Sequence, residues 1–262
     1  VAVAGGGSNR VMYSTDALSW TAATAPGSTQ WNSVTYGNGK FVAVGQSGSP
    51  QVTYSTDGIN WSEGQSANGN NWKSVTYGDG KFVAVASDGT AASKRVMYST
   101  DGNNWTATTE FSGSPDQTSW SSVTYGNNKF VAVANDGITQ QIMYSTDAIT
   151  WTAAAGGGAY AWSSVTYGNG KFVAVSQNGT VQVIYSTDAI NWTGVTVEDA
   201  TWKSVTYGDG KFLAVATSGT NQVMYSTDAI TWNVATVTEA NNWESVTYGG
   251  DKFVAVAESG TN

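Results

Sequence analysis

The stretch Tyr54-Ser-Thr-Asp-Gly-Ile-Asn-Trp61 decides how the chain is read, because it returns as Tyr13 to Trp20, Tyr98 to Trp105, Tyr144 to Trp151, Tyr185 to Trp192 and Tyr225 to Trp232. It alternates with a second stretch of the type Trp31-Asn-Ser-Val-Thr-Tyr-Gly-Asn-Gly-Lys-Phe-Val-Ala-Val44, whose six copies start 40 to 48 residues apart, at Trp31, Trp72, Trp120, Trp162, Trp202 and Trp243. A period of this size marks an architecture in which each unit leaves a hydrophobic face for its neighbour to cover.

Within one period the pattern predicts four short strands: a (Ser33 to Tyr36), b (Phe41 to Val44), c (Val52 to Ser55) and d at Trp61. Strands a and b are joined by Gly37-Asn-Gly-Lys40, and in the next copy by Gly78-Asp-Gly-Lys81. Asn-Gly or Asp-Gly between β-formers is a hairpin signal, since a type I′ turn needs positive φ at both central residues. In strand b, Phe41 and Ala43 face one way and Val42 and Val44 the other, so both faces are apolar and both are expected to be buried. Radial stacking meets that demand. The expected fold is all-β, a six-bladed β-propeller of four-stranded antiparallel blades in one domain, residues 1–262. Its closing blade is formed from residues 1–30 and 243–262 by velcro-type closure of the N- and C-terminal segments.

The ends do not fit this scheme neatly. Val254-Ala-Val-Ala257 repeats Val1-Ala-Val-Ala4, so the closing blade holds one strand b too many. One copy is then displaced, or pairs with another molecule's open blade, since an unpaired β edge is a template for association; alternatively the chain is a piece of a longer array. It begins at Val1 without methionine, which fits a mature, processed or partial chain.

Composition narrows the chemistry. The 262 residues include 31 Gly, 12 Trp and 13 Tyr but no Cys and no His, which excludes disulfides, thiol chemistry, Cys/His zinc sites and imidazole catalysis. A net charge of −8 disfavours nucleic acid and anionic membranes as partners. No apolar run is long enough for a membrane-spanning helix. Asn-x-Ser/Thr sequons occur at Asn60, Asn104, Asn178 and Asn191 in turn-rich surroundings.

The Ser55-Thr-Asp57-Gly58-Ile-Asn-Trp61 motif resembles the Asp-box, or BNR repeat, at the c-to-d turn of propellers that include sialidases. It is one residue shorter between Asp and Trp than the family pattern, and four copies carry Ala17, Ala148, Ala189 and Ala229 where the other two have Gly58 and Gly102. The resemblance implies that Asp16, Asp57, Asp101, Asp147, Asp188 and Asp228 are structural. The same follows from chemistry: an Asp in a tight turn accepts hydrogen bonds from the N–H groups just after it, and the Trp plugs the space between sheets. Sialidase activity in that family rests on three arginines, whereas this chain has only Arg10 and Arg95.

What the repeat leaves free is small. All 12 Trp, 12 of 13 Tyr and six of seven Phe occupy repeated positions, leaving Tyr160 and Phe111. Lys40, Lys81, Lys129, Lys171, Lys211 and Lys252 share one position after the a-to-b turn and are expected near the Asp-box carboxylates. The d-to-a and b-to-c loops vary most between copies, and they carry an excess of acids over Arg10, Lys94 and Arg95. Asp88, Phe111, Asp116, Asp136, Tyr160, Glu198, Asp199 and Glu239 are therefore the candidate binding residues. Loops such as Ser87-Asp-Gly-Thr90 and Asn135-Asp-Gly-Ile138 lack a full calcium ligand set. No catalytic residue, metal or cofactor is expected.

The functional expectation is a non-catalytic extracellular or cell-surface scaffold that presents its loop face to a neutral glycan or a protein surface. A structural subunit linked through its duplicated terminal strands is one alternative. An engineered or recently amplified repeat without an evolved ligand is another.

Overall fold

A computed structural model describes the chain except residues 89–94, 109, 113–117, 138–140, 236, 238 and 260–262. Every element in the described residues is a β-strand. The first complete sheet shows the plan: strand a (Gln30–Gly37), strand b (Lys40–Gln46), strand c (Val52–Ser55) and strand d (Ser62–Glu63), in the order a-b-c-d, all antiparallel. Strands a and b run longer than the sequence predicts, and the Trp lies just before strand d.

The hairpin expectation holds at every a-to-b turn. Asn38 and Gly39 have φ of 48° and 73°, and the same paired positive φ recurs at Asp79-Gly80, Asn127-Asn128, Asn169-Gly170, Asp209-Gly210 and Gly250-Asp251. In the complete sheets strand b is buried on both faces; Val83 and Val85 look one way, Phe82 and Ala84 the other, and none is exposed.

Strand a carries a feature the motif pattern does not announce. Its register slips by one residue between Trp31 and Ser33, and again between Trp72 and Ser74, Trp162 and Ser164, Trp202 and Ser204, and Trp243 and Ser245. Each slip is a β-bulge, which bends the strand and re-aims the extra side chain. That side chain serves the adjacent sheet: Asn32 Nδ2 donates to the Trp72 carbonyl at 2.7 Å, and Ser163 Oγ to the Trp202 carbonyl at 2.7 Å.

The chain divides into two compact units, residues 1–130 with 145–151, and residues 131–144 with 152–262. The first holds a three-stranded N-terminal sheet (Ala2–Val3, Val11–Tyr13, Thr21–Ala22) and the complete sheets running from Gln30 to Glu63 and from Trp72 to Ala107. The second holds the sheets running from Trp162 to Val195 and from Ala200 to Val234, and a two-stranded hairpin (Trp243–Gly249, Lys252–Ala257). A five-stranded sheet containing Trp120–Gly126, Lys129–Ala134, Ile142–Ser145 and Thr150–Ala153, with Glu110–Ser112 added at its edge, has residues in both units.

The described residues thus form seven sheets rather than six blades, and residues 2–22 and 243–257 lie in separate sheets instead of one shared closing blade. The physical reason is the duplicated strand. Ala2 and Val3 pair with Met12 and Val11, so the edge that the C-terminal strand b would need is already occupied.

Adjacent sheets inside each unit pack by one recipe. In the first unit, Val42 and Val44 of one strand b join Trp72, Phe82, Met97 and Trp105 of the next sheet. In the second, Val173 and Val175 join Trp202, Phe212 and Met224. Each such fully buried large side chain contributes about 1.5–3 kcal/mol relative to exposure, so stability resides between sheets as much as within them.

Candidate functional site: the stitched loop face

The six Asp turns share one geometry. Asp57 Oδ1 accepts the Ile59 and Asn60 N–H groups at 2.8 Å each and the Ser55 hydroxyl at 2.9 Å, while Ser55 Oγ accepts the Gly58 N–H at 2.9 Å. The same bonds recur around Asp16, Asp101, Asp147, Asp188 and Asp228. The indole N–H of Trp61, Trp105, Trp151, Trp192 and Trp232 donates to the carbonyl of the residue after the Asp. Ala17, Ala148, Ala189 and Ala229 adopt φ of 64° to 68°, close to the 74° of Gly58 and Gly102, so alanine accepts the left-handed conformation and the turn is preserved.

These bonds hold the carboxylates ionised. The Ser19 and Leu18 amides lower Asp16 to about 2, and the Thr231 and Ile230 amides do the same for Asp228. Asp57 and Asp188 are depressed further, by bonds from the backbone and side chain of Asn60 and Asn191. At Asp101 and Asp147 partial burial pushes the other way, and the amide bonds from Asn104 and Thr150 outweigh it. A carboxylate so engaged makes a poor acid or base near neutral pH.

The lysines meet the expectation in part: Lys40 reaches an Asp turn, at its backbone rather than its carboxylate, whereas Lys81 and Lys211 stay with their own hairpins. Lys40 Nζ donates to the Asp101 backbone carbonyl at 2.8 Å and lies 5.2 Å from the Tyr54 ring centroid, while Lys81 and Lys211 pair with Asp79 and Asp209 of their own hairpin turns at 3.7 and 3.1 Å.

On the loop face of the second unit, Tyr160 and Asp199 meet the b-to-c loop at residues 177–182, and Glu198 meets the next b-to-c loop at Asn221. The Tyr160 ring occupies the place a side chain on Gly179 would fill, its Cδ1 2.1 Å from that Cβ position, and its hydroxyl lies 3.4 Å from Thr180 Oγ1. Its edge meets Trp162 with the planes at 88°. Asp199 Oδ1 accepts the Gln182 amide at 2.9 Å. Glu198 receives Asn221 Nδ2 on both carboxylate oxygens at 2.7 and 2.8 Å. Ala161 N–H donates to Asn178 Oδ1 at 2.9 Å, and the Thr201 and Ser218 hydroxyls are 2.7 Å apart.

The other candidates lie elsewhere. Asp88 accepts both the backbone and side-chain N–H groups of Asn71 in the first unit. Asp136 accepts the Gln141 amide at 3.2 Å, and Glu239 is half-buried. Asp116 and the side chain of Phe111 fall outside the described residues. Among the described residues no three His, Cys, Asp or Glu side chains cluster as metal ligands. Of the sequons, Asn60, Asn104 and Asn191 give their side-chain N–H groups to Asp57, Asp101 and Asp188.

Sequence reasoning missed one set of residues altogether. Arg10, Gln51, Arg95, Gln182 and Gln222 all stand immediately before strand c, and all bond the backbone of the d-to-a connection or of the first residue of the strand a that follows it. Arg10 donates to the Ser28 carbonyl, Gln51 to Asn70 at 2.9 Å, Arg95 to Thr118 at 2.7 Å and Gln182 to Ala200 at 2.9 Å, while Gln222 Oε1 accepts the Asn241 N–H at 3.1 Å. Both arginines of the chain are thus framework. The signal was available in the recurrence of Gln or Arg before Val-Met-Tyr-Ser and its variants.

No protein-family model matches the chain, and no curated protein sequence matches it. Solved structures do. A catalytically inactive virginiamycin B lyase from Staphylococcus aureus, solved with quinupristin, superposes with a TM-score of 0.70 at 14% identity, covering 85% of this chain and 75% of that one. The blades are those of a β-propeller. YCF48 from Cyanidioschyzon merolae gives a TM-score of 0.62 at 17% identity, covering 92% and 84% of the two chains. YCF48 bound to D1 peptide gives 0.65 at 12%, covering 89% and 76%. These likenesses are of fold; the neighbours include enzymes and non-enzymes alike.

Proposed function

We propose that this chain is a non-catalytic binding scaffold of the extracellular space or cell surface, whose propeller blades carry Asp-box turns and whose loop face in the second unit takes a protein surface. The observation that carries this reading is the use of acids on that face. Glu198 and Asp199 are tied to Asn221 and Gln182 in neighbouring loops, so they rigidify the surface instead of standing as a catalytic pair. A rigid face loses little conformational freedom on binding, which favours affinity.

A protein surface suits the site better than a neutral glycan. Sugar rings stack on open aromatic faces, and Tyr160, one of the two aromatics that the repeat does not use, lies against Gly179 and edge-on to Trp162. The propeller bound to D1 peptide lends the same direction, as an analogy of fold. The test is a displayed peptide library panned against the intact chain, in parallel with an array of neutral glycans. The reading expects enriched peptides and a silent array; glycan binding without peptide enrichment would reverse it.

A further inference from the structure

The terminal sheets carry two halves of a contact that joins four pairs of neighbouring sheets. In that contact the glycine ending strand a receives a tyrosine from strand a of the next sheet. Tyr77 covers Gly37, Tyr125 covers Gly78, Tyr207 covers Gly168 and Tyr248 covers Gly208, each ring carbon Cγ 2.0 Å from the place a Cβ would take. A hydrogen bond runs beside it: the Val75, Val123, Val205 and Val246 N–H groups donate to Ser33, Ser74, Ser164 and Ser204 Oγ at 3.1 to 3.2 Å.

At one end stands the plug without a socket. Tyr36 is 60% exposed, yet its ring is held 4.7 Å from Phe41 at 53°, as Tyr77 is held against Phe82 at 4.7 Å and 54°. At the other end stands the socket without a plug, since nothing lies within 4 Å of a Cβ on Gly249. Beside it, Ser245 stands where Ser204 accepts, and beside Tyr36, Val34 stands where Val246 donates. The strand b valines of the hairpin share this condition: Val256 is 44% exposed, whereas its counterparts Val44, Val85 and Val175 are buried.

We infer that the C-terminal hairpin of one copy docks on the N-terminal sheet of a second copy, displacing Val1–Ala4 and supplying strands a and b. The displaced and incoming segments are the same sequence, Val-Ala-Val-Ala. Complete sheets set the register: Ala84 pairs with Met97 and Val85 with Val96, as Ala2 pairs with Met12 and Val3 with Val11. Ala255 and Val256 therefore take Met12 and Val11, and Val254 takes the place of Val1, whose Cγ2 lies 3.0 Å from a Cβ on Gly58 much as that of Val42 lies 2.8 Å from one on Gly102. Gly249 then receives the partner copy's exposed tyrosine, and Ser245 its first strand a amide.

The incoming hairpin brings more than the strand it replaces. It adds a full strand a with Trp243, Val246 and Tyr248, and pairs four residues of strand b where Ala2–Val3 pairs two. Because the two faces differ, the contact is head-to-tail and repeats from copy to copy. This inference concerns the sheet ends and stands apart from the loop-face reading.

The absence of cysteine allows a clean trap. Tyr36→Cys and Gly249→Cys chains are mixed under mild oxidation, with a Gly37→Cys/Tyr77→Cys chain reporting the same geometry inside one molecule. The inference expects a covalent dimer that needs both variants and forms in higher yield when Val1–Ala4 is deleted. It also expects the mass of the cysteine-free chain to rise with concentration in sedimentation, and V254D/V256D to abolish the rise. A mixture that stays monomeric while the internal pair oxidises would overturn it. So would a Tyr36→Cys/Gly249→Cys chain that closes on itself at every dilution.

Discussion

Tyr77 lies on the backbone of Gly37 so closely that a Cβ there would fall 2.0 Å from the ring's Cγ. The glycine is kept for what approaches it rather than for its own φ. Gly78, under Tyr125, is the same case. Gly78→Ala forces the ring out of its seat and is expected to cost about 1–3 kcal/mol, the usual price of overpacking. Gly249→Ala, with open space around it, is expected to stay within about 0.5 kcal/mol in dilute solution. Urea midpoints of the two variants measure the difference.

The Asp turns make the fold sensitive to acid. Their carboxylates titrate below the ordinary value in the folded chain, so the stability they contribute is complete above the unfolded value, about 3.9, and drains away as pH falls through it toward about 2, where Asp16 and Asp228 titrate. The expected profile of unfolding free energy is flat from neutral pH to about 5 and declines steeply below 4. Chemical denaturation at a series of pH values checks it; a decline centred near pH 6 would contradict it.

One turn can be tested by itself. Asp188→Ala removes the acceptor for two amides, a loss comparable to that of a helix cap, and is expected to cost about 1–2 kcal/mol. Asp188→Asn keeps an acceptor oxygen and is expected to cost less. Thermal unfolding of both variants, compared with the parent at pH 7, gives the order.

Arg95 has the chemistry of a ligand-binding residue and the position of a brace. Its guanidinium reaches the Thr118 carbonyl, and it is only 8% exposed. Gln51 and Gln182 donate to equivalent carbonyls in other sheets. Arg95→Gln is therefore expected to be tolerated better than Arg95→Ala, which leaves a buried carbonyl without its donor at about 1–3 kcal/mol. Calorimetric melting of the pair separates the brace from a charge whose loss any neutral residue would reproduce.

How far the sequence could be read depended on how local each determinant is. Asn38-Gly39 and its sister turns dictate their own φ values, and the alternation Phe41-Val-Ala-Val44 announces a strand buried on two sides. The Asp turns were legible because one carboxylate and the next two amides are neighbours in the chain. The blade count was not, because it turned on competition between two identical segments for the edge of Val11–Tyr13, and adjacency decided for Ala2–Val3. The loop face was half legible: Glu198, Asp199 and Tyr160 were singled out by their departure from the repeat, but their partners Asn221, Gln182 and Thr180 come from other loops and leave no pattern along the chain.

The claim that matters most is that the repeat is scaffold and that binding belongs to the stitched loops. Hydrogen exchange on the intact chain, with and without a saturating peptide from the library selection, reads this directly. The account predicts new protection at amides in residues 177–182, 196–201 and 217–222, with the Asp turns at 188–191 and 228–231 unchanged. Protection concentrated at those turns, with the loops untouched, would contradict it.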